Sequence, residues 1–90
     1  MRIKDGFILR QVAGNYIVIG VGDEAVDFNG MITVNETGAF LWSVLEKGAT
    51  KEDMLSALLA EYDVDKETAK KDITDFLVKL NDGKLLIINE

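Results

Sequence analysis

The apolar positions of this chain change their period once, at Asn35. Before it they alternate or come in short β-branched bursts, as strands do. After it they recur every three to four residues, as amphipathic helices do. Residues 7–12 (Phe-Ile-Leu-Arg-Gln-Val) and 16–21 (Tyr-Ile-Val-Ile-Gly-Val) are strand candidates. Ala13-Gly14-Asn15 between them is a turn, with a glycine for positive φ, so the pair reads as a hairpin. Gly22-Asp23-Glu24 is a second turn. Residues 25–28 then lead toward a third strand at 31–34 (Met-Ile-Thr-Val), with Asn29-Gly30 interrupting. We favour a bulge at Asn29-Gly30 over a tight turn, because a third strand must be long enough to pair with the second.

Asn35 is a good N-cap directly after that strand. The first helix is expected from about Glu36 to Glu46, with Thr37, Phe40, Leu41, Val44 and Leu45 on its inner face and Trp42 off the centre of the stripe. Lys47 and Gly48 end it, a cation and then a glycine. Thr50 caps a second helix over 51–62, with Asp53 completing a shortened capping box. Its inward residues are expected to be Met54, Leu55, Leu58, Leu59 and Tyr62. Asp65 caps a third helix from Lys66 to about Leu80 that buries Ala69, Ile73, Phe76, Leu77 and Leu80, and Asn81-Asp82-Gly83 stops it. Residues 85–88 (Leu-Leu-Ile-Ile) form a last apolar run of strand character. It fits a swapped or sheet-completing strand, and equally a contact to a partner.

The expected class is therefore α+β: a three-stranded antiparallel sheet followed by a three-helix cluster, β-β-β-α-α-α with a short strand-like tail. Strands plus a tri-helical cluster is the make-up of a winged helix-turn-helix. With 90 residues and no visible linker or repeat, residues 1–90 are expected to form one domain.

Composition narrows the chemistry. Cysteine and histidine are both absent. A thiolate metal site is thereby excluded, and the usual general base and imidazole ligand are missing. Neither a phosphate-cradling glycine loop nor a metalloprotease or calcium-loop pattern occurs. The paired carboxylates, such as Asp23-Glu24 and Glu61 with Asp63, fall in polar turns and read as solvated residues. No catalytic residue, metal or cofactor is expected, so an enzyme is disfavoured. A net charge of −6 disfavours a nucleic-acid surface. No apolar run approaches membrane-spanning length and no signal core opens the chain, so a cytoplasmic protein is expected.

The stretch from Met31 through Asn35, Glu36, Thr37 and Gly38 to Trp42 resembles the PqqD family of small peptide chaperones, also called RiPP recognition elements. The pattern is a strand, then Val-Asn-Glu-Thr-Gly, then an apolar helix with a tryptophan. Ala60-Glu61-Tyr62-Asp63-Val64-Asp65 before the third helix is a second match. With the hairpin, the resemblance covers nearly the whole chain. It implies a module that binds the leader segment of a ribosomally synthesised precursor peptide and presents it to a modifying enzyme, often a radical SAM enzyme. The pathway, pyrroloquinoline quinone biosynthesis or another, is not implied.

The resemblance also implies the binding mode: the leader adds as an antiparallel strand to the edge of the third strand, in the groove beside the third helix. Phe28, Met31, Ile32, Thr33 and Val34 are the expected strand-side residues. Lys70, Ile73, Thr74 and Leu77 are the expected helix wall. Lys66, Lys70 and Lys71 are candidates to meet leader acids. Against this, Ile73 and Leu77 are core residues first, the lysines are commonly a solvated face, and a lone exposed Val78 needs no explanation. Two other functions fit the fold. A DNA-reading winged helix would use the third helix, but that helix holds no arginine and nearly balanced charge. A dimerisation module would use the apolar tail, and a peptide-binding edge equally accepts a second copy, so a homodimer is an alternative partner.

Overall fold

The computed structural model describes residues 1–22 and 32–88. In chain order the described elements are β1 (Arg2–Ile3), β2 (Phe7–Val12), β3 (Asn15–Gly20), β4 (Ile32–Val34), α1 (Glu36–Leu45), α2 (Lys51–Glu61), α3 (Lys66–Asp82) and β5 (Leu86–Ile87). The expected bulge at Asn29-Gly30, and Phe28 and Met31 with it, lie outside the described residues.

β2 and β3 pair antiparallel from Phe7↔Gly20 to Val12↔Asn15. The two residues between them, Ala13 and Gly14, both have positive φ (51° and 83°). That is the two-residue hairpin turn whose twist matches paired strands, though alanine is an unusual occupant of its first position. β4 pairs with the other side of β3 at Tyr16↔Val34, Ile17↔Thr33 and Val18↔Ile32, which gives the sheet order β2-β3-β4. Strand alternation then fixes the faces. Phe7, Leu9, Tyr16, Val18, Ile32 and Val34 turn toward the helices, and Val18 is completely buried.

The three helices start where the caps direct. Asn35 Oδ1 accepts from Gly38 N at 2.8 Å. Thr50 and Asp53 form the reciprocal capping box, both bonds at 3.0 Å. Asp65 Oδ1 accepts from Thr68 N at 2.8 Å. Hydrogen bonds from the Thr68 side chain and backbone hold the Asp65 carboxyl below the usual carboxylate range. α3 buries Ala69, Ile73, Phe76, Leu77 and Leu80, as its periodicity predicts.

Two faces differ from expectation. α1 buries Gly38, Leu41, Trp42 and Leu45, with Phe40 and Val44 only half-buried. The stripe is turned by roughly a quarter of a revolution from the predicted one, which places Trp42 in the core. The cause is Gly38. A Cβ there would lie 2.9 Å from Val34 Cβ and 3.5 Å from Phe76 Cδ1. Only a residue without a side chain lets the first turn of α1 press this close to β4 and α3. The Trp42 indole N–H has no partner among the described residues despite its burial. In α2, Leu59 is exposed while Met54 and Leu58 are buried. This helix touches its neighbours through a narrower stripe than five apolar residues suggest.

The C-terminal run is resolved into a role. β5 pairs antiparallel with β1, Arg2↔Ile87 and Ile3↔Leu86, and Leu85 is fully buried. Two residues carry no period, so β1 had no signal in the sequence. α3 ends in a left-handed residue, but that residue is Lys84 (φ 63°) rather than Gly83. Leu85 N closes the helix by donating to Leu80 O at 2.9 Å.

Candidate functional site

Which backbone groups β4 leaves open follows from the hairpin register. A two-residue turn makes Val12↔Asn15 a hydrogen-bonded pair, so the bonded pairs alternate from there and Ile17 directs its N–H and C=O to Arg10. Ile17 therefore has none left for β4. Tyr16↔Val34 and Val18↔Ile32 are the bonded pairs across β3 and β4, and Thr33 turns its N–H and C=O away from the sheet. Among the described residues β4 pairs with β3 alone. Among these residues it is an edge strand, with the Thr33 N–H and C=O turned outward from the sheet.

The wall opposite that edge is α3. Lys79 Nζ donates to Thr33 O at 3.1 Å, across 46 residues of sequence. A groove of about 200 Å³ runs here between β4, the start of α1 and α3. Val34, Gly38 and Phe76 lie along it with Asp72, Asp75 and Lys79. Val34 and Phe76 are each 5% exposed, so they serve as floor. Asp75 and Lys79 are exposed and Asp72 is half-buried. An extended peptide laid here would bond Thr33 with its backbone and rest side chains on an apolar floor beside the charged wall of α3.

The sequence-predicted residues divide between two places. Ile32 and Val34 turn inward, and Thr33 faces solvent. Lys70, Ile73 and Thr74 line a different groove, of about 420 Å³, between α2 and α3, together with Lys51, Leu55 and Lys66. Leu77 lies with Thr74 and Val78 beside β5. The two sets occupy opposite flanks of the buried stripe of α3. The structure thus does not bring Lys70, Ile73, Thr74 and Leu77 to the β4 edge. The wall that it does bring there is Asp72, Asp75, Phe76 and Lys79.

Residues 8–86 match the family described as Coenzyme PQQ synthesis protein D (PqqD). The chain belongs to the PqqD family. No curated protein matches the sequence. Among solved structures, the chain is similar to TbiB1 in complex with the TbiA(beta) leader peptide. That similarity has 27% identity and a TM-score of 0.74, over 100% of this chain and 99% of that one. It also shares its fold with lasso peptide synthetase B1 complexed with the leader peptide, at 18% identity and a TM-score of 0.73, over 97% and 96% of the two chains.

In this PqqD-family chain, the family-like stretch 35–42 is the frame of the groove. Asn35 ends β4 and starts α1, and Gly38 admits the helix against Val34 and Phe76. No helix among the described residues is long and apolar enough to cross a membrane. Asp72, Asp75 and Lys79, which line this groove, are not among the residues expected from the sequence. They recur at helical spacing on the other polar flank of the same stripe.

Proposed function

We propose that this protein is a non-catalytic peptide-binding module that takes the leader of a ribosomally synthesised precursor peptide as an added strand on β4. It then presents the peptide to a modifying enzyme. The observation that carries this is the outward N–H and C=O of Thr33, set above a groove floored by Val34 and Phe76. Main-chain pairing to such an edge supplies affinity with little sequence demand, and the groove supplies selectivity. Membership of the PqqD family supports the reading. So does similarity, over its whole length, to a protein solved with its leader peptide. A radical SAM maturase is the enzyme class expected from the family. One of the two solved neighbours is named as a lasso peptide synthetase, and at 18% identity it speaks to the fold alone.

The charge of α3 does not favour the DNA-reading alternative. Lys66, Lys70, Lys71 and Lys79 face Glu67, Asp72, Asp75 and Asp82 on one helix, a balanced set where phosphate contacts need clustered cations. A second copy adding at the same edge would compete with peptide, and sedimentation with and without peptide separates the two.

The test is titration of the isotope-labelled protein with the leader of a precursor peptide encoded beside it, followed by backbone amide shifts. We expect perturbation at Ile32, Thr33 and Val34 and along residues 72–79. Shifts confined to α1, with β4 and α3 silent, would sink the proposal.

A further inference from the structure

We infer that the groove between β4 and α3 reads the order of charge along the peptide, taking a basic side chain two residues before an acidic one. The inference rests on the strand-addition reading and specifies the peptide it selects.

Three juxtapositions fix the direction of α3 against β4. A Cβ on Gly83 would stand 3.0 Å from Ile32 Cδ1. Lys79 bonds Thr33 at 3.1 Å. Phe76 borders the groove with Val34 and Gly38. As β4 rises from Ile32 to Val34, α3 is therefore met in the order 83, 79, 76, so the two run antiparallel. A strand added antiparallel to β4 then runs parallel to α3. Its N-terminal part passes Asp72 and Asp75, and its C-terminal part passes Lys79.

The wall is polar in that same sense, two carboxylates and then an ammonium. Lys79 stands four residues from Asp75, a spacing at which helix side chains pair. It reaches the Thr33 carbonyl instead, and among the described residues no salt bridge to Asp72 or Asp75 is formed. An incoming strand needs that same carbonyl for one of its own N–H groups. Displaced or shared, the ammonium then has an acidic side chain of the peptide as its best partner. The carboxylates, unpaired by this chain's described residues, take the base. From Asp75 to Lys79 is about 6 Å along a helix. In a strand that is about two residues, the interval that keeps both side chains on one face. The lysines of the α2–α3 groove, Lys51, Lys66 and Lys70, lie on the opposite flank and do not blur this pattern.

The test uses a blocked ten-residue host peptide of alternating Thr and Val in three versions. In the first, two successive same-face positions are Lys then Glu. In the second they are exchanged, and in the third both are Gln. Amide shifts of Ile32 to Val34 report strand addition, and the titration gives the dissociation constant. For two exposed charge pairs, the Lys-then-Glu peptide is expected to bind about 3- to 10-fold tighter than the exchanged one at low salt. The difference shrinks as salt is raised, and Lys79→Glu is expected to abolish it. If the peptides bind at β4 with equal affinity in either order, the inference is overturned while strand addition stands. If the Gln version leaves Ile32 to Val34 unmoved at millimolar concentration, strand addition itself fails, and the charge reading with it.

Discussion

Replacing a residue by proline removes one backbone N–H, and β4 separates the N–H groups by direction. Thr33→Pro deletes a donor that no strand among the described residues uses. Val34→Pro deletes one that pairs with Tyr16. For Val34→Pro, the lost ladder bond and the orphaned Tyr16 carbonyl together amount to about 2–4 kcal/mol. Proline also replaces a side chain that is only 5% exposed, so a loss of about 3 kcal/mol or more is expected. For Thr33→Pro the ladder is intact and the exposed side chain has little packing to lose. What remains is the pull of φ from about −140° toward −65°, worth about 1 kcal/mol. The Lys79 bond, made to the Thr33 carbonyl, is kept.

Urea unfolding should therefore place the midpoint of Thr33→Pro about 1–2 M above that of Val34→Pro, given slopes of about 1–2 kcal/mol/M for a domain of this size. Peptide titration of Thr33→Pro should show affinity lower by about tenfold or more, because the carbonyl of the added strand loses its donor. If the two prolines destabilise alike, Thr33 points into the sheet and the register argument is wrong. If Thr33→Pro is stable and still binds peptide at full strength, the register stands and strand addition at this edge does not.

Two further substitutions probe the frame. The Asp65 carboxyl is held below its ordinary range by Thr68, so the folded state favours the ionised form. Its contribution is complete above the ordinary aspartate value and is lost as pH falls through the lowered folded value. Asp65→Asn keeps the cap without the titration, and acid unfolding followed by circular dichroism should show a shallower loss below pH 4 than in the parent. Ala13 holds φ at 51° in the hairpin turn. Ala13→Asn should raise stability by about 0.5–1 kcal/mol, read as a rise of a few degrees in Tm, and no gain would mean the turn relaxes in solution.

The parts of this structure that could be read from sequence are those set by local period and local caps. Asn35, Thr50 and Asp65 each sit one residue before their helix and bond the N–H three residues on. The buried stripe of α3 is complete in the sequence because five apolar residues mark one face of a long helix. What local pattern does not encode is the neighbour. The period of α3 separates buried from polar and leaves two polar flanks, Lys66-Lys70-Thr74 and Asp72-Asp75-Lys79, with nothing to say which adjoins β4. That choice is made by chain segments 46 residues apart. The rotation of α1 has the same origin. An apolar count centres its stripe on Phe40 and Leu41, whereas the missing Cβ of Gly38 lets Val34 and Phe76 draw the helix round until Trp42 is covered.

This separation explains why the family is recognisable and its peptide is not. The stretch that carries the resemblance is constrained by geometry that any peptide-binding version of this fold needs. The cap must end β4 while an edge remains, and a small residue must seat α1 against that edge. The charged residues facing the groove from α3 are exposed or half-buried, so folding fixes only their spacing and leaves their charges free to vary. On the proposed reading, selectivity for a particular leader belongs to residues 72, 75 and 79, where substitution changes the partner at little expense to the fold. The same freedom removes any motif by which those residues are recognised in advance. They stand where the hydrogen-bond register of the hairpin, carried across β3 to β4, turns the Thr33 carbonyl outward to meet Lys79.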